Sequence, residues 1–355
     1  MGVCYQMEFK MNNFQNSLHS LLSWYLDVRS KTIDVEGEHR SHALANHIAS
    51  GYRVLDINKL NLETISITPP HFNKSEYLQE DAGYRQPIAE LYDFINSHLQ
   101  EYISYFFLLS SLATLDYKKG WSDIDSFMVI QDDVVRDGRR LSKLRELCIE
   151  AWQYFLRITP LQHHGFIIVT ESDLLSYPTS YMPPAVFEQS FSMLSDSRTI
   201  TFKTKKSDSG ALKGLKGRAV VLKEALQTGV FKHHPYQGRY LYTNFRNSED
   251  AMYQLFCLLG YIMTVPAYFM DGIEKGCYKG ESFNLARPFF SDRAWEVINK
   301  ASEVRSLWED REGVEYKLNA VPKWVQDVLG NYYIEESLII IEEAIEKIIS
   351  FQEGG

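Results

Sequence analysis

Apolar residues recur at helical and strand spacing along a central stretch of about a hundred residues that begins near Tyr84. Apolar positions three or four residues apart predict one amphipathic helix from Pro87 to Ile103 and a second over Arg139–Ile158. Three short apolar runs predict strands: Phe106–Leu109, Ile124–Ile130 and Phe166–Thr170. The resulting order (helix, strand, loop, strand, helix, strand) is typical of an α/β core.

The chain on either side of this core predicts mainly helices. Residues 1–83 are expected to form an N-terminal helical extension with a helix over Asn12–Arg29, and Leu60–Tyr77, with Pro69-Pro70, is expected to be a loop. Lys203–Lys223 combines seven Lys or Arg residues with three glycines and predicts a basic, mobile connector. Three helices are predicted beyond it: Asp250–Met270, Asp292–Trp308 (capped by Ser291) and Glu335–Phe351.

The predicted fold class is therefore α/β (α+β), with a short mixed sheet flanked by helices. The expected domains are the extension 1–83, the core 84–205 and a C-terminal helical domain 206–355. The composition fits this organisation, because 355 residues with 45% hydrophobic and 23% charged side chains can bury a large core. Disordered and coiled-coil proteins are excluded by the same numbers.

Net charge and apolar windows limit the partners. A formal charge of −9 argues against a protein that coats nucleic acid through its Lys and Arg residues. The most apolar window, Gln254–Met270, falls short of the about 20 apolar residues of a membrane span, so we expect a buried helix and no membrane partner. Glu8 and the asparagines near it interrupt the unbroken apolar stretch that an export signal requires, which indicates a cytoplasmic protein. The four cysteines lack metal-ligand spacing and are expected to be reduced thiols.

The stretch from Leu109 to Ile130 holds the residues that indicate chemistry. An apolar strand ends at Ser110 and Ser111, and twelve residues after Ser111 an Asp-Ile-Asp sequence opens the next strand. Strand alternation puts Asp123 and Asp125 on one face. Two adjacent carboxylates repel each other unless a cation lies between them, and Mg²⁺ prefers such oxygen ligands together with substrate phosphates.

This block resembles the nucleotidyltransferases of the DNA polymerase β-like superfamily, whose hallmark is a turn with a small residue and a serine, a spacer and an Asp-x-Asp strand. Ser111 takes the place of the turn serine, and Asp123 and Asp125 take the places of the paired metal-binding aspartates, with Ser122 directly before them. The C-terminal half is similar only in outline, and there it is nearest to the antibiotic-modifying members. Lys279, which follows an apolar helix, is similar to a lysine that contacts the triphosphate in those relatives.

The sequence departs from the superfamily pattern in two ways. Ser110 stands where the turn usually begins with glycine, and a Cβ there narrows the approach to the phosphates. The superfamily usually has a third carboxylate on the next strand, but the third predicted strand contains no acid. The residue that completes the site is therefore open between Glu171, at the end of that strand, and His163 or His164 before it. Glu171 is also the candidate for the general base. A site with two carboxylates, or a site without activity, remains an alternative. Asp123 and Asp125 can also be interpreted as solvent-facing acids at the end of a strand, and Ser110 and Ser111 as residues that only cap the following turn.

The resemblance implies a Mg²⁺-dependent transfer of a nucleoside monophosphate from an NTP, with ATP favoured, to a hydroxyl group, with release of pyrophosphate. The implied catalytic residues are Asp123, Asp125 and Glu171, with the two aspartates as the metal ligands. The implied nucleotide-binding residues are Ser110, Ser111, Ser122 and Lys279. The acidic net charge favours a small hydroxylated acceptor, and a tRNA end or a protein side chain remains an alternative through the basic connector. A nucleotide- or partner-binding module without catalysis is the second hypothesis.

Overall fold

The chain forms two compact units. The structure is a computed structural model, and it describes residues 13–27, 35–55, 62–79, 83–160, 162, 165–178, 182–196, 198–204, 210–232, 240–245, 251–311 and 320–354. The mixed unit comprises the described residues within 13–116 and 123–204. The helical unit comprises residues 117–122 and the described residues from 210 to 354.

Helices dominate both units. In the mixed unit the elements are α1 (Asn13–Tyr25), α2 (Val35–Val54), β1 (Glu63–Ile67), α3 (Lys74–Tyr77), α4 (Arg85–Phe94, followed by a π-turn Ile95–Leu99), β2 (Ile103–Leu108), α5 (Ser110–Ala113), β3 (Ser126–Ile130), α6 (Asp132–Val135), α7 (Gly138–Ile158), β4 (Ile167–Thr170), α8 (Glu171–Leu174), a 3₁₀ turn (Pro184–Gln189), β5 (Phe191–Ser192) and β6 (Ile200–Thr204). In the helical unit they are α9 (Ala211–Thr228), β7 (Val230–Phe231), β8 (Leu241–Tyr242), α10 (Ala251–Met263), α11 (Val265–Gly272), α12 (Lys279–Ala286), a 3₁₀ turn (Arg287–Phe289), α13 (Asp292–Arg311), α14 (Lys323–Leu329) and α15 (Tyr333–Gly354).

A mixed four-stranded sheet in the order β4-β3-β2-β5 organises the mixed unit. β2 runs antiparallel to β3 and to β5, and β3 runs parallel to β4. The three predicted strands of the core are the three longer strands of this sheet, with bounds that differ by one to three residues. The expectation of a short mixed sheet flanked by helices is therefore confirmed at this level of detail.

Both faces of the sheet are covered, which explains the continuous apolar run of β3. On one face, Phe106 contacts Phe166, which in turn packs against Trp152 and Phe155 of α7. On the other face, Phe107 packs against Phe187 of the 3₁₀ turn. All five residues of β3 are buried as a result, as expected for a strand covered on two sides.

The predicted N-terminal extension groups with the core instead of forming a unit of its own. Helix α2 packs along α7, and the two helices meet where α7 begins at Gly138. A Cβ atom at Gly138 would lie 2.8 Å from the Cα atom of Asn46 in α2, closer than real Cβ contacts allow. The close approach of α2 to α7 thus requires a glycine at this position.

Replacing Gly138 with alanine is expected to lower the free energy of unfolding by about 2 kcal/mol, because the added methyl group forces the backbone of α2 away from α7. Gly217, which lies within α9 with open space around it, provides the control. Gly217→Ala should raise the free energy of unfolding by about 0.5–1 kcal/mol, because alanine loses less backbone entropy in a helix. Urea denaturation of both variants checks the prediction, and equal effects would contradict it.

The helical unit has a core of its own, contributed mainly by α9, α10, α11, α13 and α15. The predicted helix Asp250–Met270 is two helices, because α10 ends before Thr264 and α11 carries Pro266 at its start. The guanidinium of the buried Arg218 donates hydrogen bonds of 2.6 Å to the carbonyl of Tyr261 and to the Thr264 hydroxyl at this break. Met252–Gly272 is long and apolar enough to cross a membrane, but 56% of its apolar window is buried in the protein, and core helices of soluble proteins pass the same test.

Two predictions of irregular structure are wrong. The stretch expected as a loop, Leu60–Tyr77, contains β1, which pairs with β6 in a two-stranded antiparallel sheet. The expected mobile connector contains the helix α9, whose buried Leu215, Ala219 and Leu222 recur at helical spacing. Its glycine at position 214 leaves room for the ring of Tyr268, since a Cβ there would lie 2.6 Å from that ring.

Candidate functional site

The Ser110-Ser111 turn and the Asp-Ile-Asp segment lie side by side at one end of the four-stranded sheet. β2 ends and β3 begins there, because the two strands are antiparallel and Leu108 pairs with Ser126. Leu109, the residue directly after β2, donates a backbone hydrogen bond of 3.0 Å to the carbonyl of Asp125. The structure therefore brings together two groups of residues that are twelve positions apart in the sequence.

The two aspartates flank a buried residue. Ile124 is fully buried, whereas the side chains of Asp123 and Asp125 are half-exposed. β3 itself begins only at Ser126, so the alternation of buried and accessible side chains extends into the segment before the strand. Both carboxylates are thus directed away from the side on which Ile124 is buried.

Ile124 is held in place by a residue that the sequence analysis missed. The side chain of Gln162 donates a hydrogen bond of 2.7 Å to the carbonyl of Ile124 and accepts one of 3.0 Å from its N–H. Gln162 is itself buried. A single glutamine 38 positions away carries no pattern in the sequence, so only the tertiary structure could identify it.

The turn has an unusual backbone conformation. Ser110 has a φ of 53°, in the left-handed region that favours glycine. Its carbonyl accepts hydrogen bonds from the N–H and the hydroxyl of Thr114, at 3.0 and 3.2 Å. Ser110, which stands where the sequence analysis expected a glycine, thus has a backbone conformation that favours glycine. Strained residues of this kind are concentrated at functional sites.

Replacing Ser110 with glycine is expected to raise the free energy of unfolding by about 0.5–1 kcal/mol, because it removes the Cβ clash of a left-handed L-residue. Its neighbour Ser111 is helical without a positive φ, so Ser111→Gly should lower the free energy of unfolding by a similar amount. Chemical denaturation of the two variants gives the comparison. A loss of stability in Ser110→Gly as large as that in Ser111→Gly would refute the strained-turn interpretation.

Ser122 shapes the loop that joins the turn to the aspartates. Its hydroxyl accepts a hydrogen bond of 3.1 Å from the N–H of Lys118, and its own N–H donates to the Lys118 carbonyl at 2.9 Å. Residues 117–122 belong to the helical unit, where the ring of Trp121 lies 4.7 Å from Phe256 and 5.9 Å from Trp308, measured between centroids. Ser122 is thus a buried residue of a closed loop.

Lys279 lies in the helical unit as the exposed first residue of α12. The loop before it follows α11, which contains Asp271. Burial raises the pKa of Asp271 to about 6. The pKa of the Cys277 thiol is also raised, by burial first and then by the nearby charges of Glu281 and Asp271. Burial therefore disfavours the charged form of one carboxyl group at this end of the helical unit.

Glu171 lies away from the Asp pair, and we do not retain it as the base or the third metal ligand. It follows β4, whose last residue, Thr170, pairs with Ile130 at the far end of β3. The length of β3 separates Glu171 from Asp125 by about 15–20 Å. Its carboxylate instead accepts hydrogen bonds from the Ser104 hydroxyl and, at 3.0 Å, from the N–H of Asp132.

The other candidates for a third ligand, His163 and His164, lie outside the described residues, as do Lys205 and Lys206 of the basic stretch. In the part of the chain that the structure describes, there is no cluster of three His, Cys, Asp or Glu side chains suited to a metal ion. Two accessible carboxylates remain, Asp123 and Asp125, and this donor set fits Mg²⁺, which is commonly held by one or two carboxylates together with substrate phosphates and water.

Comparisons of the chain with protein-family models, with curated proteins and with solved structures find no match. The geometry of the site is therefore the basis for assigning a function.

Proposed function

We propose that this protein is a Mg²⁺-dependent nucleotidyltransferase that moves a nucleoside monophosphate from an NTP, with ATP favoured, to a hydroxyl acceptor and releases pyrophosphate. The observation that carries the proposal is the hydrogen bond between Leu109 and Asp125. This bond joins the end of the serine turn to the segment that carries the two carboxylates, directly before β3 of the mixed sheet. The sequence resembles the DNA polymerase β-like superfamily in the same two groups of residues.

Each residue of the site has a distinct role in the proposed reaction. The hydroxyl of Ser111 and the backbone of the Ser110-Ser111 turn bind the phosphates beyond the α-phosphorus. Asp123 and Asp125 hold Mg²⁺, which when bound neutralises negative charge on the phosphates as pyrophosphate leaves. Ser122 closes the loop before the aspartates. The assignment of Lys279 to the triphosphate stays a prediction from the sequence.

The chemistry requires one bond to form and one to break. The oxygen of the acceptor hydroxyl bonds to the α-phosphorus, and the bond from that phosphorus to the bridging oxygen of pyrophosphate breaks. The proton of the hydroxyl passes to a general base. Glu171 is too far from the Asp pair to serve as this base, and we leave its identity open.

A small hydroxylated molecule is the proposed acceptor. The net charge of −9 disfavours long nucleic acids, whose binding depends on neutralised phosphates. A tRNA end or a protein side chain is the less favoured acceptor. The exposed lysines of the basic stretch would contact it; among the described residues these are Lys203, Lys213, Lys216 and Lys223.

The second candidate function is a nucleotide- or partner-binding module without catalysis. The separation of Glu171 from the Asp pair favours it, because the described residues then supply two carboxylates instead of three. Such a module would bind nucleotide through the turn and the Asp pair without releasing pyrophosphate.

The test combines binding with turnover. Calorimetric titration with a non-hydrolysable ATP analogue, with Mg²⁺ and with EDTA, measures metal-dependent binding. Pyrophosphate release and mass spectrometry of a cell extract incubated with labelled NTPs then detect a nucleotidylated product. Metal-dependent binding with a product supports the enzyme, and binding without a product across a broad acceptor panel supports the module. The absence of metal-dependent binding refutes both the enzyme and a module that binds nucleotide through this site.

A further inference from the structure

The segment Asp123–Asp125 is supported on both of its edges by hydrogen bonds, from a backbone group on one edge and from a side chain on the other. On the edge towards β2, the N–H of Leu109 donates to the carbonyl of Asp125. On the opposite edge, towards β4, the backbone of Ile124 is bonded by the side chain of Gln162. This alternation follows from strand geometry, in which the backbone groups of successive residues point to opposite edges.

The β4 ladder does not reach Ile124 among the described residues. β4 begins at Ile167, and its pairing with β3 begins at Phe127, three residues after Ile124. Ile124 is fully buried, and an unpaired buried N–H or C=O group is strongly unfavourable. The amide of Gln162 supplies one donor and one acceptor, as a peptide group of a neighbouring strand would.

The orientation of the Gln162 amide is set by its partners. The backbone N–H of Ile124 can only donate and its carbonyl can only accept, so Oε1 must face the first and Nε2 the second. Gln162 is held in turn by its own N–H, which donates to the carbonyl of Thr159 at 3.1 Å after the end of α7. The two hydrogen bonds from the Gln162 side chain to Ile124, which we call the clamp, therefore connect the Asp pair to the end of α7.

We propose that Gln162 is a positioning residue for the Asp123–Asp125 site, because its side-chain amide holds Ile124 extended and buried and so directs both carboxylates to the same side. The inference rests on the proposed function, in which this pair holds Mg²⁺ against a nucleotide. Gln162 acts on the pair through its two hydrogen bonds to the backbone of Ile124.

The experiment compares nucleotide binding by the full chain with and without Mg²⁺, using the α,β-methylene analogue of ATP. Gln162→Met keeps the length of the side chain and removes both hydrogen bonds. It is expected to reduce the Mg²⁺-dependent gain in affinity roughly tenfold, while the affinity in EDTA stays within about twofold of wild type. A purely structural role would lower the melting temperature without this selective loss.

Gln131→Met is the matched control. Gln131 follows the other end of β3, and its side chain also bonds a backbone carbonyl, that of Ile103, at 3.3 Å. Gln131→Met should keep the wild-type increase in nucleotide affinity on addition of Mg²⁺. An unchanged gain in Gln162→Met, or an equal loss in both variants, overturns the inference. The absence of any Mg²⁺-dependent gain in the wild type instead refutes the proposed function, so the two failures are distinguishable.

Amide hydrogen exchange provides a measurement that does not depend on how well the variant folds. In the wild-type protein, the Ile124 amide should be protected to a similar degree as the amides within β3. Exchange at the rate of an unbonded amide would mean that the clamp is absent, and would overturn the inference without any variant.

Discussion

Replacing Asp125 with asparagine is expected to reduce pyrophosphate release at least about a hundredfold, with little change in the melting temperature. Asparagine keeps the shape of the side chain and the backbone carbonyl that accepts the hydrogen bond from Leu109. It removes the negative charge that would hold Mg²⁺ beside the phosphates. The Asp125 side chain is partly exposed, so the substitution does not bury an additional polar group. A steady-state pyrophosphate assay, together with a thermal melt, measures both effects.

The control for this change is Asp133→Asn, at the other end of β3. Asp133 is an exposed residue that forms an ion pair with Arg140, and exposed ion pairs contribute little to stability. This variant should keep wild-type turnover. Wild-type turnover in Asp125→Asn would show that the assigned site is wrong, whereas equal losses in both variants would show that the effect is not specific to the site.

Replacing Asp173 with asparagine is expected to lower the free energy of unfolding by about 3 kcal/mol, which is the largest stability effect that we predict. Asp173 is 1% exposed, and its carboxylate accepts hydrogen bonds from His19 at 3.2 Å and from the N–H of Thr170 at 2.8 Å. The Gln15 side chain donates a third bond, at 3.4 Å. These contacts join α1 to α8, so the variant leaves the buried His19 without its charged partner.

The effect of Asp173→Asn should depend on pH in a defined direction. Burial acts to raise the pKa of Asp173, but the charge and hydrogen bond of His19 and the hydrogen bonds of Thr170 outweigh it and hold the pKa below its usual value. The ionised carboxylate therefore stabilises the fold above the pKa of the unfolded chain, about 3.9, and this stabilisation is lost as the pH falls through the lower folded-state pKa.

Urea denaturation at pH 7, at about pH 5 and below about pH 4 tests this dependence. The difference between wild type and Asp173→Asn should be smaller below about pH 4 than at about pH 5. Asp93→Asn, which affects an exposed ion pair with Lys74, should change stability little at any of these values. A difference that grows as the pH falls below about 4 would contradict the assignment of Asp173 as the ionised partner.

The sequence by itself determined the elements of the core and the two halves of the candidate site. The apolar runs of β2, β3 and β4 and the helical spacing in α7 are local patterns, since each reflects burial of the element's own residues. The alternation around Ile124 is local in the same sense, and it is enough to predict that Asp123 and Asp125 lie on one side of the chain. The two hydroxyl residues after β2 are likewise recognisable as a turn from their own segment.

Only the tertiary structure decided how these pieces meet. Leu109 and Asp125, Gln162 and Ile124, and His19 and Asp173 are pairs joined by the antiparallel register or by packing between elements far apart in the chain. The distance of Glu171 from the Asp pair follows from the parallel register of β3 and β4, which puts the end of β4 beside the end of β3 and not beside its start. Local spacing reports which side of an element is buried, whereas register and helix docking depend on contacts that no single segment contains.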